Sequence, residues 1–226
     1  MHFQHAPEVW RDFPTLVPAA LVIDGITPDV AIDDRLTPFY ATAAARLATT
    51  SEGALPEIQA WRRTFSAMGL KPTQYRCAAE SLLRRFKKEG TLPTIHPLVD
   101  LCNAVSLAYA IPIAVFDTAH VTDFLEVRRA TGTETHSTFT GTTEHPAPQE
   151  IIFADAANHA HARRWSHRQS AHSTIRPTTT TALIVAEALH PTARTDIEHL
   201  TDALATTWPR PPRSAILTES SPRFDF

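Results

Sequence analysis

Residues 97–117 read PLVDLCNAVSLAYAIPIAVFD, and this stretch decides the fold that we predict for the rest of the chain. Apolar residues recur in its first part at the spacing of one helical face. The opposite side carries Val99 and Leu107 as well, and a helix that is apolar nearly all round is typical of a buried one. Pro112 ends the predicted helix, and residues 111–116 are predicted to form a short buried strand.

Two polar residues interrupt the apolar surface of this helix. Asp100 and Asn103 are three positions apart, so they share one side of the helix and need partners if they lie in the interior. His96 stands just before the helix, where it either caps the first turn or lines a site, and capping is the commoner role. We therefore interpret the helix as the floor of a site.

Outward from this core stretch, helical patterns dominate before it and strand patterns after it. The predicted helices cover about 35–47, 56–68, 75–89 and 194–207. The predicted strands lie within 16–26, 124–129, 137–140, 150–154, 162–165 and 178–189. This order predicts an α+β fold with a mainly antiparallel sheet and a segregated helical layer.

The two ends of the chain give weaker patterns. Residues 1–15 mix polar and aromatic residues and are predicted to form an irregular arm. Residues 209–226 are rich in Pro, Ser and charge, so we predict a flexible tail there. The remainder, residues 1–208, is predicted to be a single domain.

Composition limits the classes of protein that need consideration. Hydrophobic residues make up 43% and charged residues 20% of the 226 positions, as in globular proteins. No apolar run is long enough to cross a bilayer, and the N-terminus lacks a signal-peptide pattern, so we expect a cytoplasmic protein without membrane contacts. The net charge of −3 excludes a generally basic surface. Any contact with nucleic acid must come from local basic patches.

Glu187 is the most informative acidic residue. It shares one face of a predicted strand with Leu183, Val185 and Leu189, while the other face is equally apolar. A carboxylate between two buried faces is costly unless it is paired, and such groups are frequent at functional sites. The alternative is an exposed strand end at which Glu187 meets an arginine.

A basic segment surrounds one tryptophan. Arg163, Arg164 and Arg168 flank Trp165. Guanidinium groups can bind phosphate and an indole can stack on a base, so the segment is suited to RNA binding. The alternative is a solvated strand with a core tryptophan, which is at least as common.

Four histidines follow one another in the same region. His159, His161, His167 and His172 do not match the spacing of a known metal signature, and no cysteine is near. The two cysteines of the chain, Cys77 and Cys102, form neither a disulfide framework nor a CxxC pair. We therefore predict no metal site and no cofactor.

A series of motifs resembles one known family. The chain carries LP-x-I-x-x-LVDL-x-N-x-VSL, IP-x-x-x-FD, EVRRATGTE, EIIFAD and RRW-x-x-RQS in that order, followed by a Thr-rich strand that contains a Glu. This combination resembles the B3/B4 domain, the tRNA-editing domain of the bacterial phenylalanyl-tRNA synthetase β subunit, which also occurs as free-standing proteins. The resemblance covers about residues 55–208.

The resemblance implies roles for several residues. In the synthetase, the domain hydrolyses the ester of tRNA-Phe mischarged with tyrosine. By this likeness Asn103 and Glu187 lie at the amino-acid pocket as catalytic residues. The threonine that the family carries beside this asparagine is replaced here by Cys102. The histidine that the family carries two residues before the Phe-Asp pair is replaced by Ala114, and this replacement argues against proofreading of tyrosine. We assign Cys102 and Ala114 to the substrate, together with Asp100 and His96.

Three functions follow from these observations. The leading hypothesis is a tRNA-associated protein that hydrolyses a mischarged aminoacyl-tRNA in trans, because a small side-chain difference cannot be rejected by binding alone. The alternative is a non-catalytic module that binds tRNA or an amino-acid-like ligand. A third is a small-molecule enzyme that has lost contact with RNA. The expected partner is tRNA or aminoacyl-tRNA, and no contact with DNA is expected.

Overall fold

Two β-sheets share a hydrophobic core in the computed structural model, which describes residues 1–226. The strands are β1 His2–His5, β2 Val17–Asp24, β3 Ile113–Asp117, β4 Phe124–Arg129, β5 His136–Ser137, β6 Thr143–Glu144, β7 Ile151–Asp155, β8 Ala160–Arg163, β9 Arg168–Gln169, β10 Thr181–Ala188, β11 Arg213–Ile216 and β12 Arg223–Asp225. The helices are α1 Pro7–Asp12, α2 Asp33–Thr49, α3 Pro56–Ala67, α4 Ala78–Glu89, α5 Pro97–Tyr109 and α6 Ala193–Thr207.

The larger sheet has six strands in the order β12-β1-β4-β7-β8-β9, and the smaller has four in the order β11-β2-β10-β3. Only the pair β1–β4 is parallel within these two sheets. The strands β5 and β6 pair with each other in a short two-stranded ribbon. The predicted fold class, an α+β fold with mainly antiparallel strands, is confirmed.

The predicted central helix and strand are also present. Pro97 occupies the first turn of α5, the His96 imidazole caps that turn, and Ala110 ends the helix in the left-handed region with a φ of 56°. The strand β3 follows and pairs with β10, so that Ala114 lies opposite Val185. The polypeptide therefore runs from a buried helix directly into the small sheet.

The strand β10 is buried on both faces, as its sequence predicts. Ala182, Ile184 and Ala186 belong to the core that the small sheet forms with α2, α5 and α6. Leu183 and Val185 face the other core, which includes residues of both sheets and of α3 and α4. Glu187 continues this second series, so strand alternation places its side chain towards the space between the sheets.

The structure corrects the predictions for both ends of the chain. The N-terminal segment is β1 and α1 rather than an irregular arm, and its Phe3 is fully buried. The C-terminal segment is not a flexible tail, because β11 pairs with β2 and β12 pairs with β1. These strands complete sheet edges that lie far away in sequence, and such long-range pairing leaves little trace in local composition.

None of the helices combines the length and the apolar composition that a membrane span requires.

Candidate functional site

A small cavity opens beside Glu187. It lies where the start of β3 and the end of β10 meet the turn between β8 and β9. It encloses about 390 Å³, including the space at its open mouth. Its wall is largely apolar, and its polar groups gather on one side. The lining residues are Ala78, Pro112, Ile113, Ala114, Phe153, Ala162, Trp165, Ser166, His167, Arg168, Gln169, Val185 and Glu187.

Two donors from distant segments hold the Glu187 carboxylate. Its Oε1 accepts a hydrogen bond from the indole Nε1–H of Trp165 at 2.9 Å and lies 2.6 Å from Nε2 of His5. The backbone carbonyl of Glu187 accepts a third bond from the indole of Trp61. The Oε2 atom accepts no hydrogen bond from the protein. One carboxylate oxygen is thus fixed, while the other is available to a polar group.

His5 is a site residue that sequence reasoning missed. It comes from β1, 182 positions away from Glu187, and it is buried against the rings of Phe3 and Trp10. These residues alternate between half-buried and buried positions in the structure, but the only local signal in the sequence HFQH was one apolar residue, Phe3, between polar neighbours. Such a pattern could have indicated a strand, but it could not have predicted that His5 contacts Glu187.

His167 offers a second polar atom at the cavity. Its Nδ1 lies 2.7 Å from the carbonyl oxygen of Arg76, and because a carbonyl only accepts, Nδ1 carries the proton. Burial lowers the pKa of His167, the hydrogen bond to Arg76 opposes this change, and the nearby Arg164 and Arg168 lower the pKa further. The ring is therefore neutral at pH 7, and its Nε2 is a hydrogen-bond acceptor.

Asn103 does not line this cavity. It is half-buried on α5, and its side chain makes no hydrogen bond. Its neighbour Cys102 is buried in the core on the helical side of the small sheet, opposite the face that carries Glu187. Burial raises the pKa of the Cys102 thiol. The structure does not bring the predicted pair of Asn103 and Glu187 to one cavity, because the small sheet separates most of the packed surface of α5 from the space between the sheets.

Asp100 and His96 serve the start of α5. Asp100 accepts the backbone N–H of Ile95 at 3.0 Å, and the His96 Nδ1 accepts that of Leu98 at 3.2 Å. Burial raises the pKa of Asp100 although backbone donors oppose it, and burial lowers the pKa of His96. Neither lines the Glu187 cavity; both accept backbone N–H groups at or just before the start of α5. Ala114 does line it and leaves that wall apolar.

The predicted RNA-binding group divides into buried and accessible members. Trp165 is fully buried, and Arg163 is 6% exposed and bonded to Glu150 and Glu144. In this structure, a base therefore cannot stack on Trp165, and Arg163 cannot bind a phosphate. The chain turns through the left-handed region at residues 164–165, which ends β8 two residues earlier than predicted and directs the indole inward.

Arg164 and Arg168 remain accessible. The Arg164 guanidinium lies over the ring of Tyr75, with 4.7 Å to the ring centroid. Arg168 lines the cavity, and its side chain is 40% exposed while it pairs with Glu144 at 3.1 Å. Arg168 is therefore the basic side chain of the segment that a ligand in this cavity could reach, whereas Arg164 lines a separate pocket beside Tyr75.

Comparison with solved structures gives a match to an N-terminal fragment of the phenylalanyl-tRNA synthetase beta-subunit from Pyrococcus horikoshii. The sequence identity is 9% and the TM-score is 0.49. The match covers 94% of this chain and 49% of that chain, so this chain spans about half the length of the fragment. No curated protein sequence matches the chain.

Comparison with protein families gives one that covers most of the residues around the cavity. The model of the B3/4 domain matches residues 60–205, which is more than half of the chain and includes Trp165 and Glu187. His5 lies outside the matched range. The chain belongs to the B3/4 domain family.

Proposed function

We propose that this protein hydrolyses the ester bond of a mischarged aminoacyl-tRNA, with the aminoacyl group in the Glu187 cavity. The observation that carries the proposal is the Glu187 carboxylate, which is buried, held at Oε1 by two donors and unpaired at Oε2. An aminoacyl ester presents a free α-ammonium group next to its carbonyl. A fixed carboxylate oxygen is a suitable acceptor for that group.

The cavity also suits the remainder of a small aminoacyl group. Apolar atoms of Ile113, Ala114 and Val185 form a wall next to Glu187, so a modest aliphatic or aromatic side chain would be desolvated there. An editing site must admit only what the synthetic site fails to reject. The wall of Ile113, Ala114 and Val185 would set which side chains the cavity admits.

The proposed chemistry is attack by water on the ester carbonyl. The neutral His167 has its Nδ1–H committed to a carbonyl, so its Nε2 can accept the proton of the attacking water. The bond between the carbonyl carbon and the ribose oxygen then breaks, and the ribose hydroxyl leaves with a proton. Glu187 holds the α-ammonium group and thereby orients the carbonyl towards the water.

Arg168 is the proposed contact for the RNA end. It lies at the cavity and is partly exposed, and a guanidinium there can bind the phosphate next to the terminal ribose. Arg164 stands at the same turn. Asn103 has no part in this proposal, because it does not line the cavity.

A second candidate function is binding of an aminoacyl group without hydrolysis. Ala114 favours it, since this position of β3 carries an imidazole in the synthetase motif and contributes only a methyl group to the cavity here. If hydrolysis depends on that imidazole, the chain would retain the ligand without releasing an amino acid.

The test is deacylation of a panel of mischarged tRNAs by the wild type and by Glu187→Gln. Loss of the charged acceptor should reduce kcat/KM roughly 10- to 100-fold, because a hydrogen bond to a charged group contributes about 1.5–3 kcal/mol. Glu198→Gln is the matched control, since that exposed carboxylate of α6 pairs only with Arg194. Equal rates for the wild type and Glu187→Gln would remove Glu187 from the reaction.

A second arm separates the two candidate functions. An N-acetylated aminoacyl-tRNA lacks the α-ammonium group, so it should bind and react poorly with the wild type while Glu187→Gln discriminates little. Retention of aminoacyl-tRNA without release of amino acid, in a protein whose circular dichroism is native, would favour the binding module instead.

A further inference from the structure

A second cluster of chemically capable side chains lies at the turn between β7 and β8. Asp155 and His161 have side chains with 0% exposure, and the side chain of His159 is 37% exposed. One donor atom from each of the three lies within 4.8 Å of the others. The carboxylate is the centre of the group, because its Oδ2 is 3.2 Å from Nδ1 of His159 and 3.2 Å from Nε2 of His161.

These separations suit donors that share one ion. Tetrahedral ligands bound at about 2.0–2.1 Å stand about 3.3–3.4 Å from one another. Imidazole nitrogen and carboxylate oxygen are ligands that zinc prefers, and a site with two histidines and one carboxylate is a known zinc arrangement. Oxygen-rich sites for calcium or magnesium have a different composition.

One nitrogen of the group is buried without a hydrogen-bond partner. Although His161 Nε2 lies 3.2 Å from Asp155, the two are not aligned for a hydrogen bond, and no other group satisfies that nitrogen. Its Nδ1 lies 2.7 Å from the hydroxyl of Ser173. An imidazole fixed by a hydrogen bond at one nitrogen, with the other nitrogen left without a hydrogen-bond partner, is the usual arrangement of a metal-ligating histidine.

Backbone amides hold the Asp155 carboxylate in place. Its Oδ1 accepts the N–H of His159 at 2.8 Å, and its Oδ2 accepts the N–H of Thr122 at 3.1 Å. A buried carboxylate beside two imidazoles is a favourable environment for a cation.

A third imidazole stands next to these ligands. The ring of His172 lies 4.5 Å from that of His159 and 5.7 Å from that of His161, and its nitrogens have no hydrogen-bond partner. On its far side is His120, at 5.4 Å, whose Nε2 contacts Arg176. His172 is thus the nearest further donor, while His120 is already engaged.

We propose that Asp155, His159 and His161 form a binding site for a divalent transition-metal ion, with zinc as the ion that the donor set suits best. The sequence interpretation missed this site because the spacing Asp-x3-His-x-His matches no known signature, and the turn that brings the donors together has a left-handed residue at Asn158. The proposal does not depend on the function proposed for the Glu187 cavity.

The position of the site indicates a structural role. His161 packs edge-on against Phe116, and Phe116 packs against Phe153, which lines the Glu187 cavity. Aromatic rings therefore separate the ion from the cavity. Asp117 of β3 donates its amide to the carbonyl of Ser173, so an ion on His161 would tie the β7–β8 turn to the small sheet through Ser173.

The test is zinc binding by the chelator-treated full chain, followed by calorimetry and by thermal unfolding with and without zinc chloride. The wild type should bind one equivalent and unfold at a higher temperature with zinc. His159→Ala should weaken zinc affinity at least about tenfold and abolish that rise. Cobalt in place of zinc should give the intense visible absorption of a tetrahedral site in the wild type alone.

The control is His199→Ala, because His199 is exposed on α6 and has no place in the cluster. It should bind zinc as the wild type does. Since His159 is partly exposed, its replacement should leave the fold intact, which circular dichroism of the metal-free protein checks. Zinc affinity that is the same in the wild type and His159→Ala, or no binding at micromolar zinc, would overturn the proposal.

Discussion

At the scale of single residues, the two indoles near the N-terminal strand differ in one respect. Trp165 and Trp10 are both buried, but the N–H of Trp165 donates to the Glu187 carboxylate whereas the N–H of Trp10 has no partner. A buried donor to a charged group contributes more than its apolar area alone, and a buried donor without a partner costs free energy. A comparison of the two tryptophans therefore isolates the contribution of one hydrogen bond to the free energy of unfolding.

Trp165→Phe should lower the free energy of unfolding by about 2 kcal/mol more than Trp10→Phe does. Both changes remove an indole and leave a smaller ring, so the loss of volume is similar. Only the first removes a bond to Glu187. Urea unfolding followed by circular dichroism measures the difference, and a larger loss for Trp10→Phe would contradict the assignment.

The residues also differ in how far sequence could predict them. The predicted strand at residues 178–189 is apolar on both faces, which favoured a buried Glu187 over an exposed strand end, and the structure does bury it among apolar side chains. The burial of Arg163 was not predictable, because its partners Glu150 and Glu144 lie 13 and 19 positions away, just before β7 and on β6. Local composition shows that a charge is present, but only the tertiary structure shows that it is already neutralised.

At the scale of elements, the helices and central strands follow from local periodicity, whereas the terminal strands do not. The strand β1 has only four residues, yet it lies between β4 and β12 in the large sheet and carries both Phe3 and His5. Its parallel pairing with β4 joins segments more than 100 positions apart. Short strands of this kind are defined by their partners, so sequence patterns of a few residues cannot predict them.

Removal of residues 1–5 should destabilise the protein far more than removal of residues 223–226. The first change deletes the fully buried Phe3, for which a cost of at least about 3 kcal/mol is expected, and it leaves Glu187 without His5. The second deletes β12, an edge strand that pairs only with β1. Urea midpoints of the two truncated chains provide the measurement.

The full-length chain and Phe3→Ala serve as references for this comparison. If Phe3→Ala accounts for most of the loss, the side chain matters more than the backbone ladder. Similar midpoints for both truncations would contradict the view that β1 is an internal strand of the fold.

At the scale of the whole molecule, charge limits how the tRNA that we propose as a partner could bind. The net charge is −3, and many cations that a sequence would assign to a basic face are paired in the structure. Arg84 and Lys87 of α4 both contact Glu52, and Arg85 pairs with Glu89. A broad electrostatic surface for RNA is therefore absent, and attraction must come from a few groups near the cavity mouth.

Binding of tRNA should consequently depend only weakly on salt. With two to four phosphate contacts, the slope of log K against log salt concentration should be about −1.5 to −3, because each contact to single-stranded RNA contributes about −0.7. Arg168→Ala should reduce the slope by about 0.7, whereas Arg194→Ala, on the exposed face of α6 and paired with Glu198, should leave it unchanged. Filter binding at a series of potassium chloride concentrations measures the slopes. A slope near −7 would require about ten contacts and would mean that a much larger surface of the molecule binds RNA than the cavity mouth provides.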